Sequence, residues 1–165
     1  MCCKLAAAAG ATVIATSSSD EKLKVAKKLG AKHLINYRKT PEWSAGVLDY
    51  TNGAGVDIVV DVVGAESIEQ SAKSTRKGGA IMLLGLLSED PSKKVDVVLD
   101  IFYGAKTMQG VMGAGNKDVA DETSAFMEKH QLHPQIVEVF EFEEADKALE
   151  AMKKLSAPGK IVVKV

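Results

Sequence analysis

The chain has 165 residues, 21 Lys and Arg against 22 Asp and Glu, and a formal net charge of -1. A chain of that length forms one domain, or one with a small appendage, and buries about 70% of its unfolded surface, so no disulfide or metal is needed to hold a core. Lysines interleaved with acids exclude a polyanion binder, and two adjacent cysteines, Cys2 and Cys3, exclude a disulfide framework and a cysteine-rich zinc lobe. The early apolar run 5–9 is too short for a signal-peptide core or a bilayer span, so the expectation is a cytoplasmic protein with no nucleic-acid or membrane partner.

Apolar runs rich in Val and Ile alternate with amphipathic stretches, the pattern of a parallel α/β sheet. A first strand is expected at 12–16, followed by SSSDE at 17–21, where Ser18 and Glu21 have capping-box spacing. A helix then runs to Leu29, with Leu23, Val25 and Ala26 on its apolar side, and Gly30 stands where a left-handed cap belongs. A short strand at 33–36 follows. Thr40 and Pro41 open a second helix, in which Trp43, Val47 and Leu48 are spaced for burial, and Asn52 and Gly53 end it. The run VDIVVDVV at 56–63 reads as a strand covered on both faces. Beyond it come a helix at about 66–76 closed by Gly78 and Gly79, a buried strand at 80–87, a polar loop at 88–94, the stretch 95–103 and a strand near 107–112. A helix at about 117–130, a strand at 135–140, a helix at 143–155 and a last strand at 160–165 complete the chain.

Five segments together carry a family resemblance: GATVIATSSSDEK at 10–22, LGAKHLINYR at 29–38, GVDIVVDVVG at 55–64, KGGAI at 77–81 and PGKIVV at 158–163. In this order they resemble the medium-chain dehydrogenase/reductases, and within them the zinc-free, NADPH-using quinone oxidoreductase branch. The resemblance implies an α/β fold, an incomplete Rossmann-like doubly wound parallel sheet that lacks its usual first strand. In the family a substrate domain and then that strand with its glycine-rich turn come first, and both would lie upstream of Met1, so residues 1–10 are expected to be the back half of the helix after that turn. Residues 1–138 correspond to the nucleotide-binding domain, and 139–165 to the segment that packs on the substrate domain in relatives. The absent strand sits at the centre of the usual order 3-2-1-4-5-6, leaving the inner edges of the strands at 12–16 and 56–63 to pair directly, to receive another segment, or to meet a second chain. Family members also join nucleotide domains through the strand matching 107–112, which makes a homodimer the default.

By resemblance, Ser17, Ser18, Lys22 and Tyr37 match positions that contact the adenosine phosphate of NADPH, with Arg38 nearby as a further cation; NAD-binding relatives carry an acid at the end of this strand. Ser18 also suits a plain cap, and Tyr37 a sheet-packing role. Gly64, Gly85, Leu86 and Met112 fall at the carboxyl ends of successive strands, where open α/β sheets bind ligands, and in relatives these segments line the nicotinamide pocket. The pyrophosphate turn has no equivalent: Gly53 and Gly55 precede a strand, while Gly113-Ala114-Gly115-Asn116 follows one and suits either a plain turn or an anion-binding nest. His130 and His133 have no third ligand in view, so no zinc or other metal is expected.

Asp61, Asp100 and Tyr103 are the ionisable groups to inspect for acid/base work. The leading expectation is the nucleotide-binding portion of an NADPH-dependent quinone oxidoreductase-like enzyme acting on a small apolar or carbonyl molecule. Its rivals are a repurposed cofactor-independent isomerase, cyclase or lyase using the vacated nicotinamide crevice, and a non-catalytic dimeric module.

Overall fold

The computed structural model describes residues 1–85, 87, 90, 93–112, 115–154 and 159–165. It is a mixed α/β chain that divides into two compact units, Met1–Leu34 with Asn116–Val165, and Ile35–Gly115. The described strands form three sheets, ordered β1-β2, β3-β4-β5 and β6-β7.

The first unit holds α1 (Cys2–Ala8), β1 (Val13–Ser17), α2 (Asp20–Lys28) and the start of β2 (Ala31–Asn36). Helix α2 begins because Ser19 turns out of extended backbone and its Oγ accepts the Lys22 N–H at 3.5 Å, while Asp20 and Glu21 face the positive end of the helix and Lys27 and Lys28 the negative end. The capping box expected at Ser18 does not form. Ser19 is the cap, its hydroxyl donates to Glu21 at 2.6 Å, and Ser18 is left out of the helix start. Leu23 is the buried residue of α2, and Gly30 takes a φ of 103° where a Cβ would lie 2.6 Å from that of Ala7, so both handedness and the neighbouring α1 require glycine. The same unit contains α6 (Lys117–Lys129), β6 (Ile136–Phe140), a 3-10 turn (Phe142–Glu144), α7 (Ala145–Lys154) and β7 (Lys160–Val163), with β6 and β7 parallel.

The second unit contains the end of β2, α3 (Trp43–Tyr50), β3 (Val56–Asp61), α4 (Ile68–Ser74), β4 (Thr75–Leu83), α5 (Val98–Gly104) and β5 (Thr107–Gly110). Both ladders of its sheet are parallel, and Val59, Ile81 and Met108 lie side by side across the strands. That row packs with Ile68 and Ala72 of α4, with Leu83, and with Val97 and Ile101 at α5; Ile81 is 0% exposed. Strand β4 starts at Thr75, five residues earlier than the sequence suggests. Gly79 permits this, since a Cβ there would lie 2.9 Å from the Asp57 carbonyl oxygen.

The expectation that 56–63 is covered on both faces is not met. Ile58, Val60 and Val62 are exposed, and only the Val59 side is packed. The cause is topological: the β3-α4-β4 and β4-α5-β5 crossovers advance across the sheet in one direction, and right-handed crossovers of that kind place both helices on one face. Among the described residues no ladder joins β1 to β3. The orders β1-β2 and β3-β4-β5 are those of a Rossmann-like sheet without its usual first strand.

Candidate functional site

The carboxyl ends of β3, β4 and β5 are locked together by backbone. Leu84 N–H donates to the Asp61 carbonyl at 2.7 Å, and Val111 N–H donates to the Leu83 carbonyl at 2.8 Å, which carries the ladders past the strand ends. At Gly85 a Cβ would fall 2.5 Å from the Val62 carbonyl oxygen, so a side chain there would collide with the backbone of the neighbouring strand end. Gly64 is buried with a φ of 93° and starts the crossover into α4 through its carbonyl, which accepts from Ser67 N–H and Ile68 N–H. Gly64, Gly85 and Met112 thus stand at adjacent strand ends, and Met112 is 100% exposed. Leu86, Gly113 and Ala114 lie outside the described residues. Asn116 caps α6 by accepting the Val119 N–H at 3.0 Å.

Asp61 is 4% exposed at the end of β3. Its Oδ1 accepts the N–H groups of Val63 and Gly64, each at 2.9 Å; Ser67 Oγ lies 2.8 and 2.7 Å from the two carboxylate oxygens, and Ser71 Oγ donates to Oδ2 at 2.6 Å. Burying a carboxylate costs several kcal/mol unless donors replace its water, and here two amides and two hydroxyls do so without a cation among the partners. Ser67 and Ser71 were not singled out from the sequence. The available signal was their spacing of four, which puts both on one side of a helix whose capping residue, Ser67, comes six residues after an aspartate at a strand end.

The other two acid/base candidates sit on α5 and make none of these contacts. Asp100 is half-buried in the first turn, and Tyr103 is 74% exposed with its ring edge-on to Phe102 at 5.3 Å.

In the first unit, Ser17 Oγ accepts the Ser19 N–H at 3.4 Å, while the Ser18 hydroxyl makes no hydrogen bond and exposed Lys22 no ion pair among the described residues. In the second unit, Tyr37 and Arg38 are exposed directly after β2. Arg38 N–H donates to Asn36 Oδ1 at 3.0 Å, and the guanidinium has no acid partner among the described residues. Uncommitted cations and a free hydroxyl are the donor set that suits a phosphate monoester.

A cavity of about 280 Å³ in the first unit is lined by Lys4, Leu29, Pro134, Gly159 and Lys160 among others, and contains none of these residues. Among the described residues no three His, Cys, Asp or Glu side chains gather as a metal site. His130 stacks on Phe126 with ring centres 4.3 Å apart, and burial raises the pKa of the Cys3 thiol. No described helix is long and apolar enough to cross a membrane.

Parallel strands with helical crossovers and glycines after the strands define a Rossmann-like α/β protein. The chain belongs to the zinc-binding dehydrogenase family, whose model matches residues 1–129. It is 35% identical over 164 residues to a zinc-type alcohol dehydrogenase-like protein of Schizosaccharomyces pombe, covering 98% of this chain and 47% of that protein. A probable quinone oxidoreductase of the same yeast is 27% identical, with 98% of this chain and 50% of that protein covered. Among solved structures, an NAD-dependent alcohol dehydrogenase superposes with a TM-score of 0.84 at 32% identity, over 99% of this chain and 46% of that one. The chain therefore spans about half the length of the relatives it matches, and the medium-chain dehydrogenase/reductase resemblance stands. The family's name carries zinc, but the described residues offer no ligand set for it.

Proposed function

We propose that this chain is the nucleotide-binding portion of an NADPH-dependent, zinc-free quinone oxidoreductase-like protein. The observation that carries the reading is Ser18 directly after β1 and Lys22 in the first turn of α2, without a side-chain partner among the described residues, where NAD-binding relatives carry an acid at the end of the strand. An ammonium and a hydroxyl there attract a 2′-phosphate, whereas an acid would repel it. By the family resemblance, Ser17, Tyr37 and Arg38 are further candidates for the adenosine phosphate, and Gly64, Gly85, Leu86 and Met112 are candidates for the nicotinamide end. NADPH supplies a hydride when bound. The chain's own residues bind and orient it toward a small apolar or carbonyl molecule held in the remainder of an interdomain cleft, which relatives build from their other half.

Two further parts of the reading concern assembly and setting. Helix α5 exposes Val98, Leu99 and Phe102 immediately before β5, an edge strand of its sheet, and a second copy of the chain covering both would form a homodimer. Two free cysteines suit a reducing, cytoplasmic setting. Cofactor-free proton transfer by Asp61 draws less support, because four donors already occupy its carboxylate.

The test is Lys22→Ala. Loss of one charged phosphate contact is expected to weaken NADPH binding about ten- to a hundredfold while leaving NADH binding unchanged. Equal affinity of the variant and the parent chain for NADPH contradicts the assignment. A sedimentation mass corresponding to one chain at micromolar concentration contradicts the dimer.

A further inference from the structure

We infer that Asp61, acting with Ser67 and Ser71, is a positioning group that presets the 62–64 turn for the nicotinamide end of a dinucleotide. The inference rests on the reading above and adds to it a residue that touches no ligand. The turn joins β3 to α4, starts at Val62, whose carbonyl faces Gly85, and carries Gly64. Its two inner amides, Val63 and Gly64, both point at the Asp61 carboxylate at 2.9 Å. A charged acceptor holds amides about twice as strongly as a neutral one, so these two peptide groups are fixed in orientation before any ligand arrives.

The opposite side of the carboxylate is fixed to α4. Ser67 is the residue before that helix and Ser71 lies one turn inside it, 1% exposed, so one buried side chain ties strand end, turn and helix start into a single unit. The start of the turn also lies close against the segment after β4, where a Cβ on residue 85 would fall 2.5 Å from the Val62 carbonyl oxygen. Positioning of this kind acts only on the part of the ligand that meets the turn. Loss of Asp61 should therefore weaken binding of the whole dinucleotide and leave the adenosine 2′-phosphate end, held near β1, unaffected.

The experiment compares NADPH with 2′,5′-ADP, a fragment without nicotinamide, on the full chain and on Asp61→Ala, Asp61→Asn and Ser71→Ala. Asp61→Ala is expected to weaken NADPH at least tenfold and the fragment by less than twofold. Asp61→Asn keeps a carbonyl acceptor for the two amides and is expected to restore most of the loss. Should Asp61→Ala not fold, Ser71→Ala removes one donor and keeps the carboxylate, with an expected two- to fivefold loss confined to NADPH. Equal weakening of NADPH and fragment, or unchanged NADPH binding by a folded Asp61→Ala chain, overturns the inference. If the parent chain binds neither ligand, the dinucleotide reading falls, and amide exchange of Val63 and Gly64 decides the role of Asp61. Exchange at least a hundredfold faster in Asp61→Ala supports the turn-holding role, and unchanged exchange overturns it.

Discussion

The β3-α4-β4-α5-β5 region and the β6-α7-β7 region are both built from parallel strands and helical crossovers, yet they are finished very differently. In the former, Ile68, Ala72 and Ile81 form a closed apolar cluster, and the strand ends are tied by Asp61 and by the close approach of Gly85. In the latter, Ala148 is the buried residue of α7, while Leu149, Met152, Phe142 and Val139 are exposed. The difference teaches where this chain is self-sufficient. Both regions present apolar surface of the kind that marks an interaction face, Ile58, Val60, Leu99 and Phe102 in the first and Leu149 and Met152 in the second, but the first adds a closed apolar cluster and a buried polar network built from its own residues.

Substitutions sharpen this contrast. The largest effect is expected from Ile81→Ala, which empties the most enclosed side chain of the cluster and should cost about 2–5 kcal/mol in urea unfolding followed by circular dichroism. A loss below 1 kcal/mol would mean that the cluster is not a core. Next, Gly85→Ala sets a Cβ against the Val62 carbonyl, which is backbone and has little room to move, so about 1–3 kcal/mol should be lost in thermal melts. Ser19→Ala removes the cap of α2 and should cost about 1 kcal/mol, read from the same melts. Leu149→Ser on the exposed side of α7 should change stability by less than about 0.5 kcal/mol. A loss comparable to that of Ile81→Ala would erase the distinction between the two regions.

The smallest effect concerns pH. Arg76 donates a hydrogen bond to Asp57 at 2.7 Å, and this bond and the guanidinium charge lower the Asp57 pKa. A carboxylate whose folded-state pKa is depressed stabilises the fold above its unfolded pKa, and that contribution is lost as pH falls through the folded value. Acid unfolding of Asp57→Asn should accordingly be slightly less steep than that of the parent chain at the low end of the carboxylate range. Identical acid profiles would show the exposed pair to be without effect.

Much of this architecture was readable from residue patterns. The strands at β1, β3 and β5, the helices at α2, α3 and α6, and the left-handed Gly30 follow from apolar periodicity and turn chemistry. The early start of β4 was not readable, because 75–79 carry no strand pattern: Thr75 pairs with Val56, and the register then shifts before Ala80 pairs with Ile58. Nor was the one-sided cover of β3: a continuous apolar run reports what a strand tolerates, while the crossovers decide which face receives a helix. At the candidate site the glycines were legible from their place after strands. The Asp61 network was not, because its serines look like ordinary helix residues until the turn folds them onto one carboxylate. The cap at Ser19 was not readable either, since Ser18 has Glu21 at capping-box spacing while Ser19 has Lys22 there.

The central proposal is that the chain binds NADPH. Calorimetric titration of the folded chain with NADPH, and with NADH as the control, tests it most directly. The account predicts saturable binding with NADPH about tenfold or more tighter than NADH. A chain that is folded by circular dichroism and takes up neither dinucleotide at millimolar concentration contradicts it.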